Sequence, residues 1–381
     1  MRSDAPHEAQ WLPSRSDTGL MRFVIFGLTI TSSWGNGHAT LWRALCRALV
    51  RRGHSVVFFE RDLPYYAEHR DLHGMLGVEP VLYADWGEVR QRAAQAVAAA
   101  DVAIVTSFCP DGVAASDLVL GSDAPARVFY DLDTPVTLDR MAAGDWPDYL
   151  PRQGLDGFDL VLSYTGGEAL VRLQTQLGAR RVAPLYGSVD PDAHRPVAAV
   201  GGYQADLSYL GTYAADRQEA LERLFVEPAR RLPDCRFVIG GALYPPDFPW
   251  AQNIFFVRHM PPAEHPAFFS SSRLTLNITR RAMAAMGWCP SGRLFEAAAC
   301  GAPILTDWWE GLDAFYAPGA EVFVAGSTGD SLAALGLSDA ELRRAAGQAR
   351  ERTLEEHTAD RRALDLEAAL ESINAPMATG G

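Results

Sequence analysis

Residues 21–28, Met21-Arg-Phe-Val-Ile-Phe-Gly-Leu28, form a nearly unbroken apolar run rich in β-branched and aromatic side chains. A run of this kind without polar alternation predicts a strand buried on both faces. A Gly/Ser-rich loop follows, Thr31-Ser-Ser-Trp-Gly-Asn-Gly-His38. Residues 39–52 then carry Leu41, Leu45, Ala48 and Leu49 on one helical stripe, Gly53-His54 ends them, and residues 55–60 are a second apolar run. This β-loop-α-β unit commits the chain to a parallel sheet with right-handed crossovers. The pattern recurs: strands over 101–106 (after an alanine-rich helix), 126–130, 158–163 and 181–185, with a helix from about 167 to 177. Five or six parallel strands in one doubly wound domain, residues 21–186, are predicted.

Residues 187–202 change character. They are poor in apolar side chains, contain Pro191 and Pro196 and end in Gly201-Gly202, which reads as an interdomain linker. A second α/β series occupies 203–354, with strands over 205–210, 236–240, 254–257, 274–278, 304–307 and 321–324. A helix is expected over 217–231 and another over 292–300. The fold class is therefore α/β, two Rossmann-like domains facing across a cleft. Residues 1–20 carry acids and prolines without an apolar core segment and read as a disordered tail rather than a signal peptide.

Composition narrows the function classes. Asp+Glu number 47 against 34 Lys+Arg, a net charge of −13, which argues against a dedicated nucleic-acid binder. The five cysteines are scattered with no C-x-x-C pair, so neither a disulfide framework nor a zinc knuckle is indicated, and a cytoplasmic setting fits. The longest apolar stretch, 93–105, is interrupted by Gln95 and Asp101, so stable membrane insertion is not expected.

In open parallel sheets ligands bind beyond the carboxyl ends of the strands, which directs attention to four loops. In the first, Gly35, Asn36 and Gly37 allow close backbone approach and His38 stands at a helix N-terminus, as a general base or as a packing residue; the spacing is not a G-x-G-x-x-G fingerprint. In the second, Asp131 and Asp133 stand two apart after a strand. On an extended segment they point the same way and suit a metal, a base or an ordinary strand-end turn. The third holds Gly211, Thr212 and Arg217, donors for a phosphate or a glycine turn with a solvated arginine. The fourth is the most specific: Pro290-Ser-Gly-Arg-Leu-Phe-Glu-Ala-Ala-Ala-Cys-Gly-Ala-Pro-Ile-Leu-Thr306. Here Ser291 enters a helix on which Arg293 and Glu296 share a face, either as a clamp for a diphosphate and a ribose or as a surface ion pair. Trp308-Trp309 offers an aromatic platform for a ring or a packing pair, and Arg280-Arg281 is a basic pair on a loop.

The fourth segment resembles the nucleotide-sugar segment of GT-B glycosyltransferases. With Ile30-Thr-Ser-Ser-Trp-Gly-Asn-Gly-His38, Phe59-Glu-Arg-Asp62, Leu185-Tyr-Gly-Ser-Val-Asp190, His259-Met-Pro261 and Leu276-Asn277, the chain is similar to the CgeB-like branch over residues 21–370. The resemblance implies that Glu296 accepts the ribose hydroxyls of a nucleoside-diphosphate-sugar. Arg293, Ser291, Gly211 and Thr212 would hold the diphosphate, helped by Arg217 and Arg281. The acceptor would lie against Gly35, Asn36, Gly37 and Trp308. A last helix, about 355–375, would cross back onto the first domain. Many retaining family-4 enzymes carry two glutamates with seven residues between them; here the partner position of Glu296 is Trp288.

The expected reaction is sugar transfer from that donor to an unidentified acceptor, with His38 or Asp133 as base, no cofactor and no metal. Two other readings stay open at this point, a nucleotide-sugar 2-epimerase and a non-catalytic nucleotide-sugar-binding protein.

Overall fold

A computed structural model describes residues 19–374. Of the expected tail, residues 1–18 lie outside the described residues, as does residue 375 of the expected last helix. Seven strands form the first sheet: β1 (Arg22–Gly27), β2 (Ser55–Arg61), β3 (Val78–Tyr83), β4 (Val102–Thr106), β5 (Ala126–Asp131), β6 (Leu160–Ser163) and β7 (Val182–Pro184). All pairs are parallel, in the order β3-β2-β1-β4-β5-β6-β7. The apolar runs of β1, β4 and β5 are buried along almost their whole length, as their lack of alternation requires. The strand not read from sequence is β3. Glu79-Pro80 interrupts its apolar pattern, and at the sheet edge a proline without an N–H is tolerated.

The second sheet contains β8 (Leu207–Leu210), β9 (Phe237–Gly241), β10 (Ile254–Arg258), β11 (Thr275–Asn277), β12 (Ile304–Thr306) and β13 (Phe323–Val324), in the order β10-β9-β8-β11-β12-β13. Both sheets thus place their first strand beside their fourth. That reversal of strand order opens a crevice at the carboxyl ends of β1 and β4, and of β8 and β11. The helix expected over 217–231 runs from Gln218 to Arg231 with helical backbone throughout but widens to a π-helical stretch at Glu222–Val226, just before Pro228, which has no N–H to donate to the preceding turn.

The chain passes between the domains twice, side by side. Val189 N–H donates to the His357 carbonyl (3.0 Å) and Ala359 N–H to the Val189 carbonyl (2.8 Å). The helix Ala359–Glu371 then lays Ala359, Ala363, Leu366 and Leu370 into the same core as Leu45, Leu49 and Val128 of the first domain, the one-sided spacing of an amphipathic helix.

Candidate functional site

The carboxyl ends of the two sheets meet. Tyr164 and Thr165, just past β6, touch Pro290 and Cys289 of the second domain, and the Trp34 ring packs 3.9 Å from that of His259. Between these contacts lie the candidate residues of both halves.

On the second-domain side, Ser291 caps the helix Gly292–Ala299, its Oγ accepting from Arg293 N–H at 3.2 Å. Leu294, Phe295 and Ala297–Ala299 face the core, so the helix is fixed and presents Arg293 and Glu296 together. The Arg293 guanidinium contacts Glu296 Oε2 and donates to His265 Nδ1 at 3.1 Å. His265 Nδ1 and His194 Nε2 lie 3.3 and 3.8 Å from the same oxygen. Oε1 makes none of these contacts and remains an open acceptor. Burial alone would raise the Glu296 carboxyl; Arg293, His194 and His265 overcome it and hold the group well below the usual carboxylate range. Burial, then Arg293, pushes His265 down to about 4, and burial lowers His194 as well. Glu296 is thus an anion, with the Arg293 guanidinium as its first counter-charge.

His194, His265 and Glu296 offer ligand atoms within 4.8 Å of one another, a donor set a metal could use. The Arg293 guanidinium contacts two of these residues, at His265 Nδ1 and Glu296 Oε2. His194 and His265 escaped the sequence reading because one lies on the linker and the other on a separate helix; only the fold places them on Glu296.

The pKa shifts make acid stability predictable. His265 and His357 sit at about 4, both lowered chiefly by burial. Below the ordinary histidine value the unfolded chain therefore binds more protons than the native one, and stability drains as pH falls from about 6.5 towards 4. Asp131, raised to about 6 by burial, and Asp307, also raised by burial, work in the opposite direction over the lower part of that window, but they are two groups against four, since burial lowers His194 and His259 as well. A thermal-unfolding series from pH 7 to 4.5 is expected to show a steadily falling Tm; a flat or rising Tm would contradict this balance.

The turn after β8 is built for close approach. Gly211 N–H donates to the Gly240 carbonyl (2.9 Å), and a side chain at Gly241 would collide with the Gly211 carbonyl. Arg217 donates one guanidinium N–H to the Thr212 carbonyl at 2.6 Å, while its Nε, also buried, has no partner. A buried donor without an acceptor is a place for an anion. Arg281 is not brought to this group. Its side chain is 70% exposed and its nearest carboxylate is Glu219 at 3.7 Å, because the helix Arg281–Met286 turns it to solvent.

On the first-domain side the two candidate bases prove to be one unit. His38 Nε2 lies 3.1 Å from Asp133 Oδ2, and both side chains are partly accessible. His38 Nδ1 is buried without a partner, so the tautomer protonated on Nε2, donating to Asp133, leaves no donor orphaned. The expectation that Asp131 and Asp133 point the same way fails. The chain leaves extended geometry after β5, Asp133 stands at the N-cap position of the helix Thr134–Ala142 with its side chain making no cap bond, and Asp131 turns inward, fully buried, accepting from Asp133 N–H at 3.1 Å.

In the glycine loop, Gly35 (φ +66°) packs against the Tyr65 hydroxyl, where a Cβ would sit 2.7 Å away. Gly37 faces open space. Asn36 is occupied by the loop itself: Oδ1 accepts from Ala39 N–H, and Nδ2 donates to the Ser32 and Trp34 carbonyls. Its role is to shape the helix entry, not to offer free polar atoms. The loop's main anchor is Glu60 at the end of β2, buried and accepting from Thr29, Ile30 and both donors of Thr31 at 2.6–3.0 Å. A glutamate closing an apolar strand was the available signal. Trp308 and Trp309 diverge: Trp308 is 57% exposed, and Trp309 is in the core against Phe315.

Residues 217–368, which include Arg217, His265, Arg293 and Glu296 but not His194, Gly211 or Thr212, match a family model described as glycosyl transferase-like. No curated protein sequence matches the chain. Among solved structures, sucrose-phosphate synthase (tll1590) from Thermosynechococcus elongatus superposes with a TM-score of 0.68 at 14% identity, over 93% of this chain and 99% of that one. Anabaena Alr3699/HepE in complex with UDP-glucose gives 0.63 at 13% identity, over 92% and 100%. An alpha-glucosyltransferase in complex with UDP and a 13-mer DNA containing a HMU base gives 0.64 at 13%, over 93% and 100%. The chain has the GT-B fold. At these identities the structural likeness is one of fold. No helix among the described residues is long and apolar enough to cross a membrane.

Proposed function

We propose that this GT-B chain is a metal-independent glycosyltransferase of the CgeB-like kind, moving a sugar from a nucleoside-diphosphate-sugar to a hydroxyl acceptor in the interdomain cleft. The observation that carries the reading is the open oxygen of Glu296. An anionic carboxylate tied by one oxygen and free at the other, one turn from a capped helix N-terminus, suits vicinal ribose hydroxyls beside a diphosphate. That this group lies in the segment with the glycosyl transferase-like match, and that HepE and the alpha-glucosyltransferase have been captured with UDP or UDP-glucose, supports a uridine donor as the first to try.

In the proposed reaction the acceptor hydroxyl, lying against the Gly35–Gly37 loop, loses its proton to the Asp133 carboxylate while His38 Nε2–H orients that group. The acceptor oxygen bonds to the anomeric carbon, and the bond to the β-phosphate oxygen breaks with its electron pair. The growing phosphate charge meets the N-terminus of Gly292–Ala299, the unpartnered Arg217 Nε–H and the exposed part of Arg293, fixed charges that need no reorganisation. Two bound substrates in line supply much of the remaining acceleration.

Calorimetric titration with UDP, GDP, dTDP and ADP tests the reading. Micromolar binding of one nucleotide, unaffected by chelator, is the expected result. Absence of binding to the folded protein would overturn it. Sugar appearing on no acceptor, with the donor epimerised instead, would replace transfer by 2-epimerisation.

A further inference from the structure

Eight residues before Glu296 the chain makes an unusual crossing. Trp288 adopts φ +48°, a left-handed conformation that a bulky residue holds only when its surroundings enforce it. Its backbone is bonded to both domains: N–H donates to the Glu310 carbonyl at 2.6 Å on one side, and the carbonyl accepts from Gly166 N–H at 3.0 Å on the other. The indole fits between two glycines, one from each domain. A Cβ on Gly167 would lie 2.5 Å from Trp288 Cδ1, and one on Gly311 would lie 2.6 Å from Cδ2. The next two residues are gripped as well, Cys289 Sγ by the Thr165 hydroxyl (3.3 Å) and the Pro290 carbonyl by the Tyr164 hydroxyl (2.8 Å). Ser291, the cap of the Arg293–Glu296 helix, follows at once.

We propose that Trp288 is a positioning residue for the donor site, and that the first-domain run Tyr164–Gly167 sets the seat of the donor helix through it. The argument is one of connectivity. The helix body is held by its own core, but its entry, residues 288–290, takes side-chain and backbone bonds from the opposite domain. Whatever loosens that grip frees the helix N-terminus and the Arg293 guanidinium, the groups that meet the diphosphate. Nucleotide affinity is thereby governed by residues of the acceptor domain that never touch the nucleotide. An indole suits this task because it fills the space between two backbone segments that both lack a Cβ at the contact, Gly167 and Gly311, which no carboxylate at the same position would do.

The inference rests on the donor reading above, and its test separates the two. Nucleotide binding is measured for the wild type, Trp288→Gly, Trp288→Phe, Gly167→Ala and the Trp288→Gly/Gly167→Ala pair, with unfolding curves confirming that each folds. Trp288→Gly removes the wedge while relieving the left-handed strain, so a role limited to backbone geometry would leave binding intact. Gly167→Ala acts from the other domain; because Gly167 has φ +55°, the strain of its own backbone is present with or without the indole and is read separately, from its effect in the Trp288→Gly background. Each is expected to weaken nucleotide binding about tenfold, to raise donor KM more than it lowers kcat, and to show no further loss when combined, as expected for two changes to one contact. Trp288→Phe should restore most of the affinity. Unchanged nucleotide binding in folded Gly167→Ala, or full additivity in the pair, overturns the latch while leaving the donor site standing. Failure of the wild type itself to bind any nucleotide overturns the donor reading, and this proposal with it.

Discussion

Glu296→Ala is expected to weaken nucleotide binding by about 100-fold or more, with the fold retained. The open Oε1 has lone pairs for two hydroxyls, and hydrogen bonds to a charged acceptor contribute about 1.5–3 kcal/mol each. Two at the lower bound already amount to roughly two decades of affinity. Removal also takes the anion from between Arg293, His194 and His265. Loss of one partner of a buried ion pair is costly when the survivor stays buried; here the Arg293 side chain is 34% exposed and can turn to water, so binding is expected to suffer more than folding. Glu296→Gln is the sharper control. It keeps the shape and one acceptor but loses the charge that Arg293 balances, so an intermediate affinity is expected. Calorimetry on the three proteins decides, and near-wild-type affinity in Glu296→Ala would remove Glu296 from the site.

The residues that were legible in the sequence and those that were not differ in how far their partners lie along the chain. Continuous apolar runs announced β1, β4 and β5 because parallel strands are buried on both faces, whereas β3 was hidden by Glu79-Pro80, acceptable only because the fold places it at an edge. The pairing of Arg293 with Glu296 is local, three residues on one helix, and could be read directly. His265 and His194 reach Glu296 only through the packing of another helix and the path of the linker. His38 and Asp133 were each recognisable by position after a strand, yet their contact spans 95 residues, and no spacing rule reveals it. Arg281 and Asn36 were misplaced for the complementary reason: adjacency to a candidate loop does not fix which way a side chain turns. Asn36 spends its amide on the helix entry, and Arg281 follows its own short helix to solvent.

Asp133→Asn is the substitution expected to do most damage to turnover, lowering kcat by roughly 10²–10⁴-fold, the usual contribution of a positioned general base. Donor affinity should be unchanged, since the Asp133 carboxylate bonds to His38 and makes none of the bonds from Tyr164, Thr165 and Gly166 that hold residues 288–290. The amide preserves the 3.1 Å contact with His38 in outline but cannot accept the acceptor's proton. His38→Ala should act on the same step but less severely, because it removes the group that orients the carboxylate and leaves the carboxylate itself. The double variant should then be little worse than Asp133→Asn alone, the behaviour of two residues acting as one unit. A decisive complement is the anomeric configuration of the product. A base on the acceptor side serves direct displacement, so inversion at the transferred carbon should accompany the Asp133 dependence. Retention of configuration with full activity in Asp133→Asn would assign the acceptor proton to the departing phosphate instead, leaving the His38–Asp133 pair as a part of the first domain's helix-entry architecture.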